Sequence, residues 1–178
     1  VANYREYSPD GTAKKGQFAV WFEELLTEAL KNPRYKDLYQ YDVAQMHDGY
    51  FSQDKGKFKD SSEGRSTKAD DEAYSLIMKD KERLLSFEEP TRFIFSHSAL
   101  KEGWDNPNVF QICTLKEAGN SETRRRQEIG RGLRLCVNQH GDRVYGHEVN
   151  TLTVMATESY VDFVDNCGLI STLLPNST

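Results

Sequence analysis

Apolar and polar residues follow one another in a regular order over residues 92–134. Two apolar runs, residues 92–96 and 109–115, are rich in aromatic and β-branched side chains and predict buried strands. Between them, residues 98–107 combine Gly, Asp-Asn and Pro, which predicts a loop. A polar turn follows the second strand, and Ser121 can then cap an arginine-rich helix. The predicted order is therefore strand, loop, strand and helix.

Similar patterns predict further elements on either side of this stretch. Residues 17–31 carry apolar side chains at helical spacing and predict an amphipathic helix with its aromatic face in the core. That face consists of Phe18, Trp21, Phe22, Leu25, Leu26 and Ala29. We also expect a strand near residues 42–46, a second helix over residues 70–85 and a final strand over residues 150–156. Residues 52–68 are almost all charged, small or polar, and predict a solvated loop or an exposed hairpin.

Strands that alternate with helices along the chain predict an α/β fold. Crossover helices place the strands that they connect in parallel, so we expect a parallel sheet with helices on both faces. A short last helix is predicted over residues 158–167. At 178 residues the chain is long enough to bury a core, and we expect residues 1–178 to form one domain.

Composition and charge narrow the function classes. No run approaches the roughly 18 apolar residues of a membrane span, and no signal peptide is expected before the first helix. The cysteines Cys113, Cys136 and Cys167 are far apart and form no C-x-x-C pair, which favours a reducing cytoplasm and argues against structural zinc. His47 lies beside Asp48 without further metal-ligand spacing, so we interpret it as structural. The net charge of −5 means that any DNA binding depends on local basic patches.

The arginine-rich helix is the best candidate for chemistry. At about 100° per residue, one stripe consists of Arg124, Gln127, Arg131 and Arg134, and another of Ile129 and Leu133. One face can then pack on a sheet while the other presents guanidinium groups, which bind phosphate oxygens in a bidentate manner. A solvated basic surface is the simpler alternative.

Two glycines in the same helix weaken that alternative. Gly130 and Gly132 each cost roughly 1 kcal/mol relative to alanine within a surface helix. Glycine is favoured where the backbone must approach another group closely. We therefore expect the helix to contact something more than solvent.

Two segments of the chain resemble motifs of superfamily 2 helicases. Residues 127–134 resemble motif VI, which has the pattern Q-x-x-G-R-x-x-R, and residues 100–109 resemble motif V in its excision-repair form. The longer string over residues 93–113 resembles the Res subunit of type III restriction-modification enzymes. Residues 3–7 near the start and residues 151–154 near the end resemble the same subunit, so the resemblance covers nearly the whole chain.

The resemblance implies three groups of site residues. In the catalytic group, two arginine fingers reach the γ-phosphate of ATP and a glutamine positions water or the phosphates; the group comprises Arg131, Arg134 and Gln127. The group that would contact the cofactor, including its ribose, comprises Gly103, Asp105 and Gly130. The group that would lie along the DNA backbone comprises Ser98, Ala99 and Lys101. The implied cofactor is ATP with Mg²⁺, bound mainly by another domain.

The resemblance also implies a place in a larger protein. It indicates the second RecA-like domain of the helicase motor of an ATP-dependent type III restriction endonuclease. The chain contains no G-x-x-x-x-G-K-[ST] phosphate loop and no D-x-K or E-x-K triplet. We therefore expect the first motor domain and the nuclease domain to be absent, and the chain alone to be inactive. The implied partners are double-stranded DNA, a DNA methyltransferase subunit and the first RecA-like domain, in the cytoplasm.

Other interpretations remain open. A non-catalytic RecA-like module could bind nucleic acid or a partner protein only. Another superfamily 2 DNA helicase, such as an excision-repair type, could carry the same two motifs. The intact arginines of motif VI favour a catalytic motor, because a module that only binds does not need paired fingers.

Overall fold

The helix-forming and strand-forming segments divide between two units in the computed structural model, Val1–Trp104 and Asp105–Thr178. The structure describes residues 4–10, 12–35, 40–51, 53–54, 57–58, 68–80, 82–97, 104–115 and 122–155. Within these ranges, no helix is long and apolar enough to cross a membrane.

The first unit is built from short strands and two α-helices in its described part. Its strands are β1 (Arg5–Tyr7), β2 (Ala13–Lys15), β3 (His47–Phe51), β4 (Gln53–Asp54), β5 (Lys57–Phe58) and β6 (Phe93–His97). Its helices are α1 (Gln17–Leu30) and α2 (Lys68–Tyr74).

The central pairing of this unit is parallel. β3 lies beside β6, with His47 opposite Phe93 and Phe51 opposite His97. A parallel pair needs a long crossover, and the chain between these strands contains α2. β6 confirms the strand predicted over residues 92–96. β1 with β2 and β4 with β5 form antiparallel hairpins, and the second hairpin lies in the stretch predicted as a solvated loop or exposed hairpin.

Aromatic side chains form the core of the first unit. Tyr4, Ala19 and Phe51 are buried, and Phe95 packs against them. The rings of Tyr4 and Phe95 stack with their centroids 4.7 Å apart. A Cβ at Gly49, in the middle of β3, would overlap the Tyr4 ring. Only glycine at this position lets the ring lie directly on the strand.

α1 confirms the helix predicted from apolar spacing, but part of its predicted buried face is wrong. Trp21 and Leu25 are 50% and 72% exposed. Ala19 is buried instead, and the ring of Phe22 packs edge-on against Phe93. The buried stripe is narrower than predicted, because helical spacing alone does not say which edge of an apolar stripe meets the strands.

The strand predicted near residues 42–46 is also wrong. A 3₁₀ turn occupies Val43–Gln45, and β3 begins only at His47. The Asp42 carboxylate accepts a hydrogen bond from the Ala44 amide at 2.9 Å. This local cap stabilises a turn in competition with an extended strand.

The helix predicted over residues 70–85 is interrupted. α2 passes into a π-helical turn at Ser75–Lys79, and a separate 3₁₀ turn covers Arg83–Leu85. Ala73 and Ile77 are buried, as their apolar positions predict. The charged residues after the π turn offer no apolar side chain with which to continue a packed helix, so the predicted length was too great.

The second unit contains β7 (Gln111–Cys113), α3 (Glu122–Gly132) and β8 (Thr153–Met155). β7 and β8 pair in parallel, with Ile112 opposite Val154. These elements confirm the positions of the strand predicted at residues 109–115, the arginine-rich helix and the final strand. The predicted burial of the first of these strands is wrong, because Gln111 and Cys113 are exposed and Leu115 is 64% exposed. Ser121 and the helix predicted over residues 158–167 lie outside the described residues. The chain is a mixed α/β protein with short parallel strand pairs.

Candidate functional site

The arginine-rich helix ends earlier than the sequence predicts. α3 stops at Gly132, so Arg134 lies in the chain that follows the helix. Glycine has low helix propensity and commonly ends helices, which accounts for the early end. Ile129, on the predicted apolar stripe, is buried, but Leu133 is 58% exposed and follows the helix, so its place on that stripe was wrong. The helical stripe therefore includes Gln127 and Arg131, and placing Arg134 on it was wrong.

The two glycines of α3 have different surroundings. A Cβ at Gly132 would overlap the Leu152 side chain, so the backbone is packed closely against that side chain. A Cβ at Gly130 would have no described atom within 4 Å. The predicted close approach of the helix backbone to another group is thus confirmed at Gly132, where that group is the Leu152 side chain of the same chain. At Gly130 it stays a prediction.

Asp105 and Arg134 form an ion pair within the second unit. A guanidinium Nη1 of Arg134 contacts Oδ1 of Asp105. The two side chains are 37% exposed for Arg134 and 55% exposed for Asp105, so both remain accessible to solvent and to a ligand. The folded chain therefore brings together one residue from each of the two motif-like segments.

A second link joins the same two segments of chain. The Asn108 side chain donates through Nδ2 to the Val137 carbonyl at 3.0 Å and accepts from the Val137 amide at 2.8 Å. The Asn108 amide in turn donates to Oδ1 of Asn106 at 2.9 Å, and Asn106 is buried. The loop after Asp105 is thus hydrogen-bonded to the chain that follows Arg134.

Asn150 holds the next part of this chain. Its Oδ1 accepts from the amide of buried Cys136 at 2.9 Å, and its Nδ2 donates to the carbonyls of Val144 and Gly146, both at 2.9 Å. The Asn150 side chain therefore links Cys136 to Val144 and Gly146, which lie at the two ends of residues 136–146. Sequence reasoning missed the contacts of Asn108 and Asn150, because a hydrogen bond between a side-chain amide and a distant part of the chain leaves no periodic signal in the sequence.

Trp104 is a further residue that sequence reasoning missed. It lies at the end of the first unit, is buried, and donates through Nε1 to the Ile77 carbonyl at 3.0 Å. That carbonyl lies in the π-helical turn, near a helix end where carbonyls lack intrahelical partners. A buried tryptophan with a satisfied N–H fixes the chain immediately before Asp105.

The remaining predicted site residues divide into two sets. Gln127 and Gly130 are exposed on α3, and Arg131 is partly buried. The others lie outside the described residues, and they are Gly103, Ser98, Ala99 and Lys101. Their assigned roles stay predictions.

A hydrogen-bonded network of charged and polar groups lies in the first unit. The Tyr4 hydroxyl is 2.8 Å from Nδ1 of His47, and Nε2 of His47 is 2.9 Å from Oε1 of Glu23. Because a carboxylate only accepts, Nε2 donates to Glu23. In the neutral imidazole, Nδ1 then accepts from the Tyr4 hydroxyl. Lys15 also donates to Glu23, at 2.8 Å. The network joins β2, α1 and β3, which confirms the structural interpretation of His47.

Burial and charge act in opposite directions on these groups. Burial, followed by the nearby Asp48 carboxylate, raises the pKa of Tyr4. Burial also raises the pKa of Asp48, although its partner Arg5 lowers it in part. For Glu23, burial acts to raise the pKa, but hydrogen bonds from Lys15 and His47 outweigh it and the pKa is lowered. Among the described residues, no group of three or more His, Cys, Asp or Glu side chains could hold a metal ion.

Several curated proteins are similar to this chain over most of its length. The EcoPI Res subunit of Escherichia phage P1 and the EcoP15I Res subunit of Escherichia coli are type III restriction-modification proteins. Each is 40% identical over 164 residues, which is 86% of this chain. The chain is a homologue of type III Res subunits. The StyLTI Res subunit of Salmonella typhimurium is 45% identical over 113 residues, which is 60% of this chain.

The homology covers a limited part of each Res subunit. The chain spans 15% of the length of the EcoPI and EcoP15I Res subunits and 10% of the StyLTI Res subunit. No protein-family model and no solved structure matches the chain. The homology therefore relates this chain to one limited part of a Res subunit.

Proposed function

We propose that this chain is the second RecA-like domain of a type III restriction enzyme motor and supplies arginine fingers for ATP hydrolysis. The Asp105–Arg134 ion pair carries the proposal, because it unites the motif V-like loop and the motif VI-like arginine in one unit. Homology to Res subunits supports it. The first motor domain and the nuclease domain are expected elsewhere in the Res polypeptide.

The chemistry of Arg134 fits a nucleotide phosphate. Its guanidinium already contacts a carboxylate oxygen of Asp105, and a phosphate oxygen carries the same sign of charge and accepts the same hydrogen bonds. The position is also partly open to solvent, which a ligand needs for entry. The proposal assigns Mg²⁺ and most of the ATP contacts to the first motor domain.

Two arginines have the catalytic role in this proposal. Arg131 and Arg134 donate to oxygens of the phosphoryl group in transfer, where negative charge is spread over several oxygens. A fixed cation there stabilises the transition state more than the bound nucleotide. Gln127, on the same helical face as Arg131, orients the attacking water.

The remaining assignments extend the proposal to ribose and DNA. Asp105 and the nearby loop backbone contact the ribose, and Gly130 lets the nucleotide approach α3. Double-stranded DNA lies along the loop that carries Ser98, Ala99 and Lys101. A DNA methyltransferase subunit supplies sequence recognition, because the motor loop makes contacts with the DNA backbone that do not depend on sequence.

The test is a pair of substitutions in the complete Res polypeptide, assembled with its modification subunit. Arg131→Ala should lower DNA-stimulated ATP hydrolysis by roughly a thousandfold or more, because the transition state loses its cation. ATP binding, measured at equilibrium with a fluorescent nucleotide, should weaken far less. Arg134→Ala should have an effect of the same kind.

Arg126→Ala is the matched control. Arg126 is exposed on α3 and lies about 140° around the helix from Arg131. The substitution therefore removes the same charge from a different face of the helix. It should leave the turnover rate within about twofold. If Arg131→Ala and Arg134→Ala both hydrolyse ATP at a near-normal rate in folded protein, this part of the chain is not the finger domain of a motor.

A further inference from the structure

The ion pair and the asparagine hydrogen bonds both join residues 105–108 to residues 134–137. Asp105 contacts Arg134, and three residues further along each segment Asn108 contacts Val137. The segments therefore run in the same direction. The first contact joins two side chains, whereas in the second the Asn108 side chain contacts the Val137 backbone. The two contacts restrain different parts of the second segment. The ion pair contacts the Arg134 side chain, whereas the asparagine hydrogen bonds restrain the Val137 backbone.

The ion pair alone is a weak constraint on Arg134. Both charged groups are partly exposed, and pairs of this kind contribute roughly 0.2–1 kcal/mol. The arginine side chain also has several rotatable bonds, so its guanidinium can occupy many places for each position of the backbone. A well-placed finger therefore requires that its backbone be fixed first.

Asn108 supplies that constraint. Its amide satisfies both the N–H and the C=O of Val137, as a neighbouring β-strand would. Its own backbone is held by buried Asn106, so the anchor does not move freely. Only a side chain with a donor and an acceptor at this length can make both contacts. Aspartate would place an acceptor against the Val137 carbonyl, and alanine would make neither hydrogen bond.

We propose that Asn108 is a positioning residue for Arg134: it fixes the backbone after α3 so that the guanidinium is held ready for a phosphoryl group. The proposal rests on the proposed motor function. The Asn108 side chain is hydrogen-bonded to the Val137 backbone, so the proposal assigns it no contact with the nucleotide or the attacking water. Its effect on turnover is therefore exerted through Arg134, and this makes it separable from a general effect on folding.

The experiment is a double-mutant cycle on ATP hydrolysis in the complete Res polypeptide with its modification subunit. Asn108→Ala should lower kcat by on the order of tenfold to a hundredfold, as expected when a reacting group is misplaced, with a much smaller change in KM for ATP. In the Arg134→Ala background, Asn108→Ala should lower kcat by less than about twofold further, because the residue on which it acts is gone. Asn108→Asp keeps the size of the side chain and should act in the same direction.

Asn138→Ala is the matched control for loss of an asparagine in the same segment. The Asn138 side chain accepts from the amides of His140 and Asp142 and holds only the turn after Val137. Its loss should leave kcat within about twofold of the parent value. Amide hydrogen exchange adds a second readout, since the Val137 amide should exchange faster in Asn108→Ala but not in Asn138→Ala.

The outcomes separate the two proposals. If Asn108→Ala and Asn108→Asp leave kcat unchanged, or lower it by the same factor with and without Arg134, Asn108 does not position the finger. Should Asn108→Ala fail to fold, Asn108→Asp and its combination with Arg134→Ala decide in the same way. A normal rate for Arg134→Ala would remove Arg134 from the fingers and overturn the positioning role of Asn108. Normal rates for both Arg131→Ala and Arg134→Ala would overturn the motor function itself.

Discussion

The guanidinium of Arg134 contacts the carboxylate of Asp105, although the two residues come from separate motif-like segments of the chain. Both side chains are more than one third exposed, so water screens the attraction between them. A weak pair of this kind favours one orientation of the Arg134 side chain but contributes too little free energy to prevent it from changing partners. In the proposed motor, a phosphate group therefore replaces the carboxylate at little cost, as that role of Arg134 requires.

The strength of this pair can be measured directly. We expect a double-mutant cycle with Asp105→Asn and Arg134→Gln to give a coupling of roughly 0.2–1 kcal/mol in the free energy of unfolding of the chain. The coupling should fall in about 1 M salt, where charges are screened within roughly 3 Å. Urea denaturation with and without salt supplies the values. A coupling of several kcal/mol that ignores salt would mean that Arg134 is a locked structural residue.

Local sequence patterns predicted the elements that carry the site. β6, β7 and α3 lie where apolar runs and helical spacing placed them, because β-branched and aromatic runs favour strands and helical spacing favours a helix. The exposed positions of Trp21 and Leu25 were not predictable in this way. A helix with a wide apolar stripe can meet its strands along either edge, and only the tertiary packing selects one.

The contacts within the site were less predictable than its residues. The motif resemblance pointed to Asp105 and Arg134 as functional, but it gave no reason to expect that they contact each other. Asn108 and Trp104 act through hydrogen bonds to distant backbone groups. Such bonds depend on where the chain returns in space, so no spacing or composition in the sequence indicates them.

Removing the charge of Glu23 should reduce the dependence of stability on pH in the acid range. Hydrogen bonds from Lys15 and His47 hold the pKa of folded Glu23 below its ordinary value of 4.5, against the effect of burial. The ionised carboxylate therefore stabilises the folded chain above that value, and the contribution is lost as pH falls through the lowered pKa. Glu23→Gln should lower the free energy of unfolding near neutral pH by less than about 1 kcal/mol.

Urea unfolding at a series of pH values tests this prediction. The difference between Glu23→Gln and the parent chain should shrink below about pH 4. Asp48 has a raised pKa and acts in the opposite direction, but it is common to both proteins and cancels in the difference. Glu28→Gln is the control, because it breaks an exposed pair between Glu28 of α1 and Lys31, which directly follows that helix. A difference that stays constant down to low pH would show that the network depends on hydrogen bonding and not on charge.

Alanine at positions 130 and 132 should have opposite effects on stability. A Cβ at Gly130 meets no described atom, so Gly130→Ala should gain up to roughly 1 kcal/mol of helix propensity. At Gly132 the same methyl group would overlap Leu152, and such overpacking costs on the order of 1 kcal/mol or more. Leu152→Ala in the Gly132→Ala background should recover part of the loss relative to the two single changes added together. Urea unfolding of the parent and these four variants measures all of these values, and additive losses would mean that Leu152 does not restrict position 132.

Gly130→Ala also separates stability from function. In the proposed motor, the nucleotide approaches the backbone of α3 at Gly130, so a methyl group there obstructs the ligand although it stabilises the helix. We expect the isolated chain to unfold at a higher urea concentration, while the complete Res polypeptide hydrolyses ATP at least about tenfold more slowly. Because the variant is more stable than the parent, slower turnover could not be attributed to unfolding. A more stable protein with normal turnover would show that no ligand approaches this glycine, and Gly130 would then leave the set of cofactor-binding residues.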